Sequence, residues 1–395
     1  MRALIVEHGR NNGALAAARA LAAGGWTVGV AASRAGALST ASRCIERGHV
    51  VPSPEDDPEA FVDAVAGCVR EHAYEVVFPI DETQLLALSA ARDRLGATLP
   101  FPDHETLLRA LDRQALNAIA IECGLHGPRT VEASDTALEG WAGDVVIKAR
   151  RPLLLGVGAE GHRAETRIGP PAELMAYVRE LAVSGAEAIA QEVIQGPLIA
   201  VSVLRAADGT TVARHQQAAE GLWPAGAGVS VRARTVAVDP GLAEGIDALL
   251  DRLCWIGLVQ MQFVVAPGGA PHLIDFNPRF YGSLSLAVAA GVDYPVLWAR
   301  QATGRTVGPQ APARVDVRYQ WLGGDLRRAA VERHGGLVRD VAGSLRYAAG
   351  AQHAVWSARD PQPLLARIAG VAASRRQLAG ERIRAVSADK ATRER

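Results

Sequence analysis

Short β-branched runs alternate with amphipathic helical stretches over the first hundred residues. Ala3–His8 (ALIVEH) has the pattern of a buried strand, and residues 11–25 that of a helix ended by glycine. Residues 26–33 suggest a second strand, residues 58–72 a second helix, and residues 74–81 a third strand ending in acidic residues. Such alternation predicts a parallel sheet covered on both faces. A linker and two helices follow over residues 100–130, with Asp103 a plausible N-cap and Gly124 marking the end of the second. Residues 143–150 (GDVVIKAR) predict a strand carrying Lys148 near its end, and the glycine-bearing stretch after it a mobile turn. A strand, a break at Gly196 and a second strand closing in AADGT come next. A helix over residues 239–253 precedes a hairpin over residues 257–280 that turns at PGGAP.

Length and composition narrow the classes. A chain of 395 residues implies two to four domains, and 49% apolar with 21% charged residues is ordinary for a soluble globular protein. Lys plus Arg equals Asp plus Glu at 42 each, which gives no reason to expect nucleic acid or an anionic membrane as partner. No run of eighteen apolar residues occurs, and the apolar start stops at Glu7, a poor signal peptide; a cytoplasmic protein is expected. Cys44, Cys68, Cys123 and Cys254 are scattered, without a CxxC pair, and are expected to be isolated buried thiols. The turn HGRNNG after the first strand could hold a phosphate at a helix N-terminus, but a structural turn explains it better.

The hairpin carries the chemistry. Alternation puts Gln260, Gln262 and Val264 on one face of its first strand, and Asp275 with Asn277 on one face of its second. Pairing across the turn lets Gln262, Asp275 and Asn277 converge, offering the hard oxygen atoms that magnesium takes alongside water and phosphate. Arg279 joins that face if the strand runs on through Pro278, where its guanidinium fork could neutralise phosphate charge. A strand simply ending in a turn remains the plainer explanation of Asp275 and Asn277, as a surface strand end does for Lys148.

The segment LIDFNPRFYGSLSLAVAAGVDYP resembles the closing motif of ATP-grasp enzymes, an acid followed by Asn-Pro-Arg, a small-residue helix and G-x-x-Y/F-P. Gln262 in GLVQMQFVV matches the glutamine used as a metal ligand in the carbamoyl-phosphate synthetase branch, and Asp275 takes the place of the commoner glutamate. Other parts of the fingerprint follow in order. LDRQALNAIAIECGLHGPRT resembles the helix and turn before the small lid domain, which implies Arg113 as the first nucleotide-contacting basic residue. VVIKAR resembles the strand that sets a basic side chain on the α- and β-phosphates, which gives Lys148 that role. QEVIQG resembles the hinge beside the adenine, so Gln191, Glu192, Val193 and Ile194 would frame the base. RRPLLLGVGAEG stands where the family has its lid loop, and GLWPAGAGVS where a glycine loop faces the acceptor. Two departures stand out: GPLIAVSV lacks the acid that binds the ribose hydroxyls, and the lid lacks a GGxG-type run.

The resemblance spans roughly residues 1–305 and implies a mixed α/β and α+β chain with the ATP-grasp fold. The expected division is a pre-ATP-grasp α/β domain (1–105), linker helices and lid domain (106–188), a nucleotide and metal domain (189–308) and a C-terminal α+β extension (309–395). In that extension residues 315–336 predict a strand and an amphipathic helix, residues 361–386 a long basic helix, and the last residues a frayed tail. The implied reaction uses ATP with Mg2+ or Mn2+ to activate a small-molecule carboxylate as an acyl phosphate, which an amine or related nucleophile then attacks, releasing phosphate. Arg279 and Lys148 would be the catalytic cations. Carboxylation, kinase chemistry and a non-catalytic nucleotide-binding module stay open as alternatives. A homodimer would be in keeping with related enzymes. Glu82 and Thr83, at the end of the third strand, are candidates for touching a substrate ammonium, although an N-cap explains them equally well.

Overall fold

The computed structural model describes residues 1–9, 11–151, 166–224 and 228–370. The chain opens with β1 (Arg2–Glu7), α1 (Asn12–Ala23), β2 (Thr27–Ala32), β3 (Ile45–Val50), α2 (Pro58–His72), β4 (Val76–Pro79) and α3 (Glu82–Ala90). The four strands are parallel in the order β3-β2-β1-β4. β1 is therefore flanked on both sides, which is why it is an almost unbroken apolar run. Two elements lack a sequence signature. β3 is an edge strand with an exposed centre, and α3 buries eight of its nine residues, so neither shows a clean two-sided pattern. The Asn11 side chain caps α1 by accepting from the Gly13 and Ala14 amides; Arg10 lies outside the described residues.

Helices α4 (His104–Leu111) and α5 (Arg113–Glu122) are capped by Asp103 and Asp112. They lead into β5 (Thr130–Glu132), α6 (Asp135–Leu138), β6 (Val145–Ala149), β7 (Arg167–Gly169), α7 (Pro171–Val183) and β8 (Ala188–Glu192). The strands form an antiparallel sheet ordered β5-β8-β6-β7. It packs on α7 through a small core that includes Val145, Ile147, Tyr177 and Leu181. Most of the expected lid loop, residues 152–165, lies outside the described residues.

A third sheet holds the hairpin. Its parts are β9 (Leu198–Arg205), β10 (Thr211–Trp223), β11 (Val229–Val236), α8 (Pro240–Arg252), β12 (Gly257–Val265), β13 (Pro271–Asn277), α9 (Leu284–Ala289), α10 (Tyr294–Ala302), β14 (Arg318–Gln320), α11 (Leu322–Glu332), α12 (Leu337–Ala348) and β15 (Ala351–His353). Seven strands run β13-β12-β9-β10-β11-β14-β15, so residues beyond 309 lengthen this sheet at one edge. The break between β8 and β9 falls at Gly196, with φ +152°, where an added Cβ would lie 1.9 Å from the Val265 carbonyl oxygen. Only glycine fits there. The expected acceptor loop is largely strand: residues 221–223 end β10, residues 229–230 open β11, and residues 225–227 lie outside the described residues. Of the long helix expected over 361–386, residues 362–370 are helical; the rest, with the tail, lies outside the described residues.

Packing contacts join the N-terminal layer to the end of the hairpin. Phe280, fully buried, packs its ring 5.2 Å from both Phe78 of β4 and Trp298 of α10. Gly13 lets the start of α1 approach the Tyr281 carbonyl, which a Cβ would meet at 2.5 Å. Together they fix the chain just after β13. The cysteines depart from expectation: Cys44, Cys68 and Cys123 are only half-buried, and Cys254 is exposed.

Candidate active site

The register of the hairpin pairs Gln260 with Asn277 and Gln262 with Asp275, so all four side chains share one face. Between Gln262 and Phe263 the register shifts, leaving Ile274 as an extra residue in β13. Asn277 Nδ2 donates to Asp275 Oδ2 (3.1 Å), and Arg279 Nη2 donates to Asn277 Oδ1 (2.8 Å). Arg279 reaches this point differently from the sequence reading. β13 ends at Asn277, and the side chain folds back from the following loop instead of continuing the strand. Glu82 orients it, with Oε1 accepting from Arg279 Nε (2.9 Å) and Nη2 (2.6 Å). Glu82 is thus engaged by an arginine, and the N-cap of α3 is Asp81. Thr83 Oγ1 lies 3.0 Å from both Asp81 Oδ1 and Glu55 Oε1. Neither Glu82 nor Thr83 is the cap that the sequence suggested.

Lys148 faces the hairpin from the small sheet. Its Nζ donates to the carbonyl of Ile274 (3.1 Å), the residue that the bulge takes out of register. Burial and the neighbouring Arg113 charge lower the ammonium to about 8, with Asp275 pulling the other way. Arg113 is itself tied to the end of β6: its amide donates to the Arg150 carbonyl (2.9 Å) and its Nη1 to the Ala149 carbonyl (2.8 Å). Asp112, nearly inaccessible, caps α5 through the Ala115 amide (3.1 Å) and accepts from Arg150 Nε (3.0 Å) and Arg151 Nη2 (2.8 Å). Burial pushes its carboxyl up, but these arginines and the amide outweigh it and hold it below the usual carboxylate range. A depressed pKa stabilises the fold above the unfolded value of about 3.9 and ceases to do so as pH falls through the folded one. Asp112→Asn is therefore expected to lower the melting temperature at neutral pH, with the gap to wild type closing in acid. A thermal melt series across pH checks this.

At the hinge, Gln191 is buried and its Nε2 donates to Thr130 Oγ1 (2.8 Å), while Glu192 Oε1 accepts from the Arg129 amide (2.8 Å). Val193 and Ile194 lie beyond the end of β8, half-buried and off the strand ladder. A slot lined by Arg113, Gln191, Leu273, Ile274 and Asp275 separates the hinge from the hairpin; its free volume is only about 20 Å3.

The larger space lies on the other side. A cleft of about 310 Å3 is lined by Gln217, Gln260, Gln262 and Arg279, by Asp81, and by Arg367 from the C-terminal segment. That volume is at the lower end for small-molecule sites. Gln260 was placed on the face by sequence but given no role. It is 3% exposed, it lines the cleft, and its Nε2 has no partner among the described residues. Behind it the same row runs through Ser202 to His215, both fully buried, and burial takes His215 down to about 4, so it is neutral at pH 7. One further group, His8, Glu55 and Asp81, gathers at the C-terminal ends of β1 and β4, with His8 Nε2 3.6 Å from Glu55 and 3.7 Å from Asp81. Sequence could not find it, because the three positions meet only through the sheet order.

The fold is that of the ATP-grasp proteins. Residues 186–324 match the model of a family described as ATP-grasp in the biosynthetic pathway with Ter operon. Among solved structures the chain is similar to the L-amino acid ligase from Bacillus licheniformis (17% identity, 76% of this chain and 74% of that one, TM-score 0.57). It is also similar to N5-carboxyaminoimidazole synthetase from Staphylococcus aureus (12%, 84% and 86%, TM-score 0.60). A third is the biotin carboxylase domain of 2-oxoglutarate carboxylase from Hydrogenobacter thermophilus, solved with MgADP, ADP and bicarbonate (15%, 80% and 73%, TM-score 0.61). No curated protein sequence matches the chain. Among the described residues no helix is long and apolar enough to cross a membrane.

Proposed function

We propose that the protein is an ATP- and magnesium-dependent ligase that activates a small-molecule carboxylate as an acyl phosphate and joins it to an amine. The observation that carries this reading is the cross-strand pairing of Gln262 with Asp275 beside Asn277, with Arg279 at one side and Lys148 opposite. Gln262, Asp275 and Asn277 are an all-oxygen donor set on one face, the kind that a hard divalent cation takes. Bound there, Mg2+ or Mn2+ would neutralise phosphate charge and orient the nucleotide.

The chain's own residues account for the rest. In the first step a carboxylate oxygen attacks the γ-phosphorus, and ADP leaves with the electron pair of the broken P–O bond. Two anions must meet, so fixed cations matter most. Arg279, held in place by Glu82, lies where charge develops on the transferring group, and Lys148 pairs with the phosphates that stay behind. In the second step the amine nitrogen forms the C–N bond while the acyl C–O bond breaks. The ammonium gives up two protons, one to the departing phosphate and one to solvent. No covalent protein nucleophile is required.

Nucleotide binding in this reading widens the 20 Å3 slot, and Lys148 exchanges the Ile274 carbonyl for phosphate. The base would lie against Gln191, Glu192, Val193 and Ile194, with Arg113 at the rim of the same slot. The stretch GPLIAVSV after the hinge supplies no acid for the ribose. Screening acid and amine pairs for phosphate release, with mass spectrometry of the products, tests the proposal. Release should require both partners, and Lys148→Ala should raise KM for ATP roughly 10- to 100-fold. Release that needs only bicarbonate, or transfer of phosphate to a stable product, would replace it with carboxylase or kinase chemistry.

A further inference from the structure

One buried donor in the cleft has no partner of its own. Gln260 lies on the site face of β12 and lines the cleft, and its Nε2 meets no acceptor among the described residues. Its two lateral neighbours show why. On one side β13 sets Asn277 opposite it, and Asn277 commits both ends of its amide, Nδ2 to Asp275 Oδ2 (3.1 Å) and Oδ1 to Arg279 Nη2 (2.8 Å). On the other side β9 sets Ser202 opposite it, and the Ser202 carbonyl accepts from Tyr294 Oη (2.8 Å). A buried N–H left unmade is costly, and an acceptor oxygen entering the cleft recovers that cost.

The donor borders the proposed reaction centre. Gln262, two residues along the same face, belongs to the metal set, and Arg279, bonded to the facing Asn277, lines the same cleft. In the adjacent row Gln262, Ala200 and Gln217 follow one another across β12, β9 and β10. Ala200 reaches the cleft with only a methyl between two longer amides, so the floor is recessed there. Ser283 Oγ donates to Gln217 Oε1 (3.0 Å) and ties the far edge of the recess to the segment after β13.

We propose that Gln260 is a catalytic residue whose Nε2–H donates to the acyl oxygen of the acyl phosphate and holds that oxygen as negative charge develops on it. The amine nitrogen, having lost one proton to solvent, adds to the acyl carbon, and the C=O π pair moves onto the oxygen at Gln260. That pair returns as the C–O bond to phosphate breaks. Phosphate leaves with the electrons of the broken bond and takes the second proton from nitrogen. A neutral amide does not titrate, so the donor is present at every working pH. That the oxygen belongs to an acyl phosphate rests on the ligase reading; that the cleft takes an acceptor oxygen at Gln260 does not.

The test is isothermal titration of the full chain, in the presence of MgADP, with acetylphosphonate and with ethylphosphonate. Both carry two carbons and a phosphoryl group, and only the first has an acyl oxygen. Acetylphosphonate is expected to bind roughly tenfold more tightly. Gln260→Met fills the same space without the N–H and should remove that preference while leaving ethylphosphonate and MgADP binding unchanged. Gln260→Glu, which sets an acceptor there, should weaken acetylphosphonate at least as far. Melting temperatures of the variants confirm folding. With any acid and amine pair that releases phosphate, Gln260→Met should lower kcat about 100-fold and leave KM for ATP unchanged. Equal binding of the two phosphonates overturns the proposal. So does a Gln260→Met variant that keeps the preference or the wild-type kcat, or the failure of both phosphonates to bind up to about 10 mM. A preference that needs Gln260, in a protein for which no acid and amine pair releases phosphate, would sink the ligase reading and leave the acyl-oxygen site standing.

Discussion

Asp275→Asn is expected to reduce ATP turnover by at least about three orders of magnitude while leaving the fold intact. Asp275 is the one carboxylate among the three oxygen donors of the hairpin face, paired across the strands with Gln262 and bonded to Asn277 Nδ2. The substitution keeps the shape and an oxygen but removes the charge. It should therefore weaken divalent binding without opening a cavity, and circular dichroism and the melting temperature should stay close to wild type. The readouts are the steady-state rate of ADP release and its dependence on magnesium concentration. A variant that turns over at the wild-type rate would remove the metal assignment.

The largest loss of stability is expected from Asp360→Ala. Its carboxylate is the shared acceptor for Arg19, Ser42 and the Arg43 amide, and it is almost wholly buried. Removing it takes the carboxylate from a mostly buried guanidinium, which keeps only the Val355 and Asp360 carbonyls, and leaves two further donors without their acceptor, a change that costs about 3 kcal/mol. Burial raises this carboxyl, but the bonds to Ser42, Arg19 and Arg43 outweigh that and leave it below the usual range. Its stabilising contribution is thus full above the unfolded pKa of about 3.9 and disappears as pH falls through the folded value. Chemical denaturation at pH 7 and again near pH 3 separates the two cases, the difference between variant and wild type shrinking in acid.

Much of this architecture was legible in the sequence because it obeys simple periods. β1, α1, α2, α5 and the hairpin carry clean apolar patterns and caps, and the row Gln262, Asp275, Asn277 follows from alternation and a short turn. What stayed hidden has physical reasons. β10 reads TVARHQQAAEGLW, and the face that would be apolar in an ordinary strand presents Gln217 to the cleft and buries His215 behind it, so the alternation is lost. α3 is buried all round and has no polar face to mark it. The bulge at Ile274, whose carbonyl meets Lys148, depends on the pairing of two strands, and neither strand shows it alone. Glu82 and Arg279 are 197 residues apart, as Asp360 and Arg19 are 341 apart, and local pattern says nothing about such pairs.

The proposed ligase reaction requires a substrate carboxylate to take the γ-phosphoryl group before the amine attacks. The direct measurement uses an acid that supports phosphate release, labelled with 18O in its carboxylate, with the released phosphate analysed by mass spectrometry. An acyl phosphate intermediate requires one labelled oxygen to pass from the acid to phosphate at each turnover. Phosphate without the label, formed at the same rate, would contradict the account.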